Sequence, residues 1–497
     1  MKLKVLALVC VVALGACSLD PVYQRPAAPV AGSWPTGAAY GTAAVATATM
    51  SGAAGPDAPL AADVGWREFY LDPRLQKLIA LALENNRDLR IAALKVAEYE
   101  AQYRITRAAL APSIDAAGSM SNARSDGLVT RSSSVSVGTT AWEIDFFGRL
   151  RSLKRQALEN YLSTDASRFS TQLALVATVA TDYLQLRADE AMLQIATDTA
   201  VANQHTYDLT AAMLKMGSAS LQDVREAQTS LSTAKASVAS YTRAVAQDRN
   251  NLASEIGGPL PADLDGGPTL LDSDAMLADI DAGVPSNLLM RRPDIVAAEH
   301  TLKAANANIG VARAAFFPKI ELTAAAGTSS SSLSTLFKAG TGAWTFAPSI
   351  SMPIFDYGSN KASLDVAKVE KDIDVAEYEK AIQTAFKEVS NALAGRDTYV
   401  AQIEADREYV RSAQDYYDLA QARYRAGTDS FLTLLTAQRT LYVAQQQLVT
   451  DQLAKLSNLV TLYKVLGGGW AETSAAIPQE EGVRFASQPT SPKGVMK

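Results

Sequence analysis

Between residues 430 and 466 the apolar side chains fall into two seams. Leu434, Ala437, Leu441, Ala444 and Leu448 step by three and four, while Val449, Leu453, Leu456, Val460 and Tyr463 step by four and three. Both are helix spacings, and because the seams are offset, the helix has neighbours on two sides. Periodicity alone fits a curved wall of helices and a simple bundle core equally well. The helical tracts are long: residues 149 to 216 contain neither Gly nor Pro, and 359 to 426 match them, interrupted only by Gly395. Shorter tracts at 74 to 111, 218 to 256, 293 to 317 and 428 to 466 complete a helical pattern that dominates the chain. Four segments alternate with period two instead: Ser113 to Met120, Val135 to Ile144, Lys319 to Thr328 and Ala343 to Ile354. Polar stretches at 123 to 134 and 329 to 342 read as loops between paired strands.

The pattern is written twice. Asp88 to Pro112 recurs as Asp294 to Pro318. Asp208-Leu209, Gly217, Ala227-Gln228, Leu252 and Gly257-Gly258 recur 210 positions later, as Asp418-Leu419, Gly427, Ala437-Gln438, Leu462 and Gly467-Gly468. Such register implies a tandem duplication forming one pseudo-symmetric body. The expected boundaries are 63 to 257 and 293 to 470 for the repeats, with strands near 113 to 144 and 319 to 354. A Pro-, Gly- and Asp-rich linker spans 258 to 292, and a tail covers 471 to 497.

The first residues carry a different signal. Met1-Lys2-Leu3-Lys4, an apolar stretch from Val5 to Leu14 and the small pair Gly15-Ala16 form a secretory signal peptide over 1 to 16. Leu14-Gly15-Ala16-Cys17 resembles a bacterial lipobox, which makes Cys17 the acylated anchor to outer-membrane lipid, and Ser18 after it favours delivery to the outer membrane. Residues 17 to 62, rich in Ala, Gly, Thr and Pro, read as an extended tether. No later stretch of the sequence is apolar for eighteen residues.

Composition narrows the chemistry. With 46 basic and 52 acidic residues the net charge is −6, and no run of five basic residues occurs, which argues against nucleic acid. Cys10, Cys17, His205 and His300 are the whole Cys and His inventory, too few for a His/Cys metal site. No nucleophile, base or phosphate-loop motif is present, so no catalytic residue, metal or cofactor is expected.

Strand segments of about ten residues suit a transmembrane β-barrel. Phe146-Phe147-Gly148 and Phe355-Asp356-Tyr357-Gly358 end the second strand of each repeat with interface aromatics. Four strands cannot close a barrel, so the chain must oligomerise: two copies give eight strands and a filled lumen, three give twelve and a bore.

Several motifs resemble the TolC-type outer-membrane factors, in the OprM-like lipoprotein branch that serves tripartite drug efflux pumps. They are Val64-Gly65-Trp66-Arg67-Glu68-Phe69, Leu83 to Arg90, Arg291-Arg292-Pro293-Asp294-Ile295, Ala314-Ala315-Phe316-Phe317-Pro318 and Gly467-Gly468-Gly469-Trp470. The resemblance implies a homotrimer, mainly α, with a twelve-stranded membrane β-barrel and a long periplasmic α-helical barrel. It implies a passive exit duct for drugs and solvents, coupled through a periplasmic adaptor to an inner-membrane proton-driven RND transporter. By motif the adaptor-contacting turns are Gly217, Ser218, Ala219, Ser220 and Leu221, and Gly427, Thr428, Asp429 and Ser430. The implied periplasmic gate draws on Asp223, Glu226, Leu432, Thr436 and Arg439, with Thr436 standing where close relatives carry Asp. Two rival readings remain open at this stage. A lipid-anchored periplasmic coiled-coil scaffold explains the seams but not the strands, and a surface hydrolase lacks any assembled acid, base or nucleophile.

Overall fold

The computed structural model describes residues 18–40, 63–264, 276–278, 280 and 291–474. The signal peptide, Cys17, much of the tether, most of the linker and the end of the tail lie outside the described residues.

The elements run α1 (Trp66–Phe69), α2 (Pro73–Asn85), α3 (Arg87–Ala108), β1 (Asp115–Ser125), β2 (Leu128–Glu143), α4 (Arg149–Lys215) and α5 (Leu221–Glu255). The second half supplies α6 (Pro293–Ala314), β3 (Lys319–Ser330), β4 (Gly342–Ser351), α7 (Ser359–Arg425) and α8 (Phe431–Val465). The duplication shows in the lengths: α4 and α7 both have 67 residues, α5 and α8 both 35, α3 and α6 both 22. At about 1.5 Å per residue each long helix extends roughly 100 Å. None of the described helices is both long and apolar enough to cross a membrane.

Two sequence expectations are corrected. The helix expected over 74 to 111 is two helices, because Asn86 stops one and caps the next: its side-chain oxygen accepts from the Asp88 and Leu89 amides, each at 2.9 Å. The loop expected over 123 to 134 is mostly strand. β1 and β2 continue to a two-residue tip, Asp126-Gly127, both at positive φ (50° and 83°), a turn whose twist matches that of the flanking strands. Similarly β3 runs on to Ser330, and the loop before β4 contains a short 3-10 turn at Leu333–Thr335.

The chain divides into two compact units. The first comprises residues 1–28, 93–167 and 294–381, and the second 29–92, 168–293 and 382–497. The first unit holds one antiparallel sheet in the order β1-β2-β3-β4, so that the hairpin of each repeat joins the other through β2 and β3. Register places Ala116 opposite Val137, Val137 opposite Ala326, Ala326 opposite Trp344, and Ile320 opposite Ile350. Directly opposed residues share a face, so one face collects Ile114, Met120, Val135, Val137, Leu322, Trp344, Phe346 and Ile350. The other collects Ser119, Ser134, Ser136, Thr345 and Ser349. A bulge between Thr139 and Trp142 inserts one residue, which switches the parity and returns Trp142 to the apolar face opposite Leu322.

The second unit holds the main core. Phe69 stacks on Tyr463 with ring centroids 4.0 Å apart, and Trp66, Leu75, Leu78, Val179, Tyr183, Leu252 and Val460 are buried around them. Both α8 seams are used: every member is buried except Leu453, which is half-buried. The Tyr463 hydroxyl donates to the Val64 carbonyl at 2.6 Å, and Tyr183 donates to the Asp72 carboxylate, so the polar ends of these aromatics are satisfied inside the core.

Candidate functional site: helix turns, sheet face and N-terminal strap

The turn α4–α5 is built by its glycine. Gly217 has φ 76°, a left-handed conformation that a side chain opposes. Its amide donates to the Leu214 carbonyl at 3.0 Å and the Ser218 amide to the Met213 carbonyl at 2.8 Å, which closes the end of α4 as a Schellman turn. Gly427 repeats this at φ 72°, with Gly427 donating to Tyr424 and Thr428 to Arg423, both at 3.0 Å. An added Cβ would meet no atom within 4 Å at either glycine, so φ rather than crowding dictates the residue.

Each return helix then starts on a serine. Ser220 accepts from the Asp223 amide at 3.2 Å while Asp223 accepts from the Ser220 amide at 2.8 Å, a reciprocal capping box. Ser430 accepts from the Thr433 amide at 3.2 Å. The second turn has one further tie: the Arg423 guanidinium grips Asp429 at 2.8 and 3.2 Å. Behind the turns Ala227, Tyr424, Phe431, Leu434 and Leu435 form a small buried cluster. Met216, Leu221 and Leu432 are exposed at 72%, 58% and 64%, so each turn presents apolar surface on a rigid, capped support.

The gate candidates separate into two groups. Leu432, Thr436 and Arg439 lie on one exposed face of α8, and Val443 continues the stripe. Thr436 donates to the Leu432 carbonyl at 2.8 Å, within its own helix. Arg439 lines a cleft of about 230 Å³ with Thr199, Asn203, Ser230, Gln438 and Tyr442, and makes no ion pair among the described residues. Asp223 and Glu226 lie on α5; Asp223 is engaged in the capping box, and Glu226 accepts from Gln222 at 3.2 Å. No described contact joins the two groups within one chain.

The segment just after Cys17 is strapped down within the first unit. Asp20 pairs with Arg155 and accepts from Ser152, in a niche open only because residue 310 is glycine: a Cβ there would lie 1.7 Å from an Asp20 oxygen. Arg313 donates to the Leu19 carbonyl at 2.9 Å and Asn306 to the Pro21 carbonyl at 2.8 Å. Arg25 donates to both Glu299 oxygens, at 3.0 and 2.7 Å. Burial raises the Glu299 pKa, but Arg25 and Lys303 outweigh it and hold the carboxyl below its ordinary value. Sequence reasoning took this region for a free tether. The signal it missed is the set of charged and aromatic residues Asp20, Tyr23 and Arg25, unusual in a composition otherwise rich in Ala, Gly, Thr and Pro.

His300 is engaged on its helix: its Nδ1 lies 2.6 Å from a Glu159 carboxylate oxygen. Among the described residues no group of three acidic, His or Cys side chains is placed to hold a metal.

An uncovered apolar sheet face, paired capped turns and a strapped N-terminus together describe a repeat protein with a membrane-facing part. The outer membrane efflux protein family matches residues 78–258 and 284–468, most of both repeats. The chain belongs to that family. It is 49% identical over 489 residues to the toluene efflux pump outer membrane protein TtgC of Pseudomonas putida, covering 97% of each chain. It is 38% identical over 475 residues to the cation efflux system protein CusC of Escherichia coli, covering 94% of this chain and 99% of that one. The open state of the MtrE outer membrane channel of Neisseria gonorrhoeae superposes with a TM-score of 0.82 at 39% identity, over 92% of this chain and 100% of that one. The protein is therefore an outer membrane efflux component, mostly helical with one sheet among the described residues, and a transport conduit by family. Family membership displaces the scaffold and hydrolase readings.

Proposed function

We propose that three copies of this chain close a twelve-stranded barrel in the outer membrane, continued by a periplasmic helical barrel, and that the assembly is the passive exit duct of a tripartite efflux pump. The observation that carries this reading is the sheet: one face is apolar, exposed at Met120, Val135, Val137, Trp344, Phe346 and Ile350 on β1, β2 and β4 and half-buried at Leu322 on β3, and β1 and β4 have no neighbour on their outer edges within the described chain. An apolar sheet face belongs in hydrocarbon, and hydrocarbon tolerates no open edge, so further copies must supply the missing strands. Helix α3 fits the same account, with no buried residue and with Ile91, Leu94, Tyr99 and Ile105 exposed for a neighbouring copy to cover.

The remaining roles follow. Cys17 carries acyl chains into the inner leaflet, and the strap that follows it is held through Asp20 by Ser152 and Arg155, in the first turns of the helix that follows β2. Residues 1–16 are the export signal, and the repeats keep the boundaries 63 to 257 and 293 to 470. The turns around Gly217 and Gly427 meet a periplasmic adaptor, which couples the duct to an inner-membrane RND transporter. Leu432, Thr436 and Arg439 form the constriction behind those turns, with Asp223 and Glu226 contributed by α5. Its cargo is organic: the relatives named for toluene, antibiotics or solvent share 45–49% identity, against 38% for the relative named for cation efflux.

The test is complementation. Expressed with the adaptor and transporter of an organic-solvent pump in cells lacking their own outer-membrane channel, the chain restores tolerance to the exported solvent. Unchanged sensitivity, with the protein present in the outer membrane, would contradict the reading.

A further inference from the structure

Inside the second unit each long helix meets its return helix through two carboxyl groups. Asp189 on α4 and Asp248 on α5 sit within hydrogen-bonding reach of one another, as do Asp406 on α7 and Asp451 on α8. In both pairs one member is fixed by a glutamine one turn earlier in its own helix: Gln185 donates to Asp189 at 3.1 Å and Gln447 to Asp451 at 2.6 Å. The other member has an orphaned oxygen, since Asp248 Oδ2 and Asp406 Oδ2 are buried with no hydrogen-bond partner. An ionised carboxylate only accepts, so two facing carboxylates would press acceptor against acceptor. One proton per pair removes the conflict, because the orphaned oxygen becomes an O–H that donates to the carboxylate the glutamine holds. The assignment is mirrored between repeats: the acid is on the return helix in the first and on the long helix in the second.

We propose that each helical hairpin carries a shared-proton carboxyl pair, Asp189 with Asp248 and Asp406 with Asp451, that clasps long helix to return helix in mild acid and loosens the contact toward neutral pH. The proposal concerns the folded hairpins and holds whether or not the duct reading does.

The surroundings support a titration in this range. Burial first, then the contact with Asp189, then the charges of Asp182 and Glu190, push Asp248 up to about 7. Burial and the contact with Asp451 push Asp406 up to about 6. The cations of the first neighbourhood are Arg187 and Arg249, which both pair with Glu190, at 2.8 and 3.2 Å, and the Tyr241 phenol stands near Asp189. In the second, Lys455 follows Asp451 one turn along α8. Both acids titrate above the ordinary carboxylate value of 3.8, so the folded state binds protons that the unfolded chain has released. The stabilisation is complete below the ordinary value and is lost as pH rises through the two raised ones.

Hydrogen exchange of the full-length, detergent-extracted protein tests this, read on peptides covering 182–192, 244–252, 402–410 and 447–455 and corrected for intrinsic exchange. Between roughly pH 5 and pH 8, wild-type protection falls about tenfold in the peptides of the Asp406–Asp451 pair and by up to about a hundredfold in those of the Asp189–Asp248 pair, the equivalent of about one and two units of proton linkage. In Asp248→Asn with Asp406→Asn the amide donates permanently, so protection in the same peptides stays level. A level wild-type profile, or an equal fall in the double variant, overturns the proposal. If that variant does not assemble, Asp189→Asn with Asp451→Asn places the donor on the other side of each contact and is read by the same criterion.

Discussion

Arg423 reaches across the Gly427 turn to hold Asp429 with two guanidinium nitrogens, at 2.8 and 3.2 Å, and no such bridge spans the Gly217 turn among the described residues. The two turns therefore share a backbone and differ in their side-chain ties. Arg423→Ala should speed hydrogen exchange at 426–431 and leave 216–221 unchanged. Because the pair is exposed and screened by solvent, the expected effect is small, about a two- to threefold change in rate. Equal effects at both turns would show that the bridge does not set the difference.

The glycines themselves should tolerate replacement far less well. Gly217→Val and Gly427→Val each force a β-branched residue to positive φ, a cost of about 1–2 kcal/mol per site. Since a Cβ meets nothing there, the core should stay intact. The expected outcome is a folded, membrane-inserted protein that fails to restore solvent tolerance. Normal tolerance in the double variant would contradict adaptor docking at the turns.

The sheet register makes a directional prediction for membrane insertion. Phe346→Lys puts a cation on the apolar face and should destabilise the inserted state by about 2–4 kcal/mol if it lies near the bilayer midplane. Thr345→Lys, one residue away on the polar face, should cost far less. Recovery of each variant from outer-membrane fractions checks the difference, and equal losses would mean that the two faces are not distinguished by lipid.

The strap responds to pH in the opposite sense to the helix clasps. The Glu299 pKa is lowered in the folded chain, so its contribution is present above the ordinary carboxylate range and is lost as pH falls through the lowered value. Limited proteolysis at the Tyr23–Gln24 bond, corrected for the protease's own pH dependence, should be slow at neutral pH and accelerate in acid. In Glu299→Gln, cleavage should be fast at every pH. Slow cleavage in that variant would show that the strap is held elsewhere, by Asp20 and Arg155.

The extent to which the sequence was readable depended on which residue types end an element. The tract from 149 to 216 lacks Gly and Pro, and helix α4 fills it almost completely, because nothing else in it competes with the backbone. The break at Asn86 escaped notice because an asparagine cap needs neither breaker. Residues 123 to 134 read as loop for their polarity, yet Asp126-Gly127 is itself a hairpin signal, and serines on one face of a sheet are as compatible with strand as with loop. At the turns the glycines and serines were legible as residue types in register, whereas Arg423 was not, because a contact six residues apart around a left-handed glycine matches no helix spacing. The strap and the paired carboxyls depend on residues more than a hundred positions apart or on opposite arms of a hairpin, which periodicity does not report.

The central claim is that the four-stranded sheet of one chain is an incomplete barrel. Native mass spectrometry of the detergent-extracted protein tests it most directly by counting chains per particle. The account predicts particles of three chains, each carrying the mass of acyl groups on Cys17; particles of one or two chains in a detergent that preserves the sheet would contradict it.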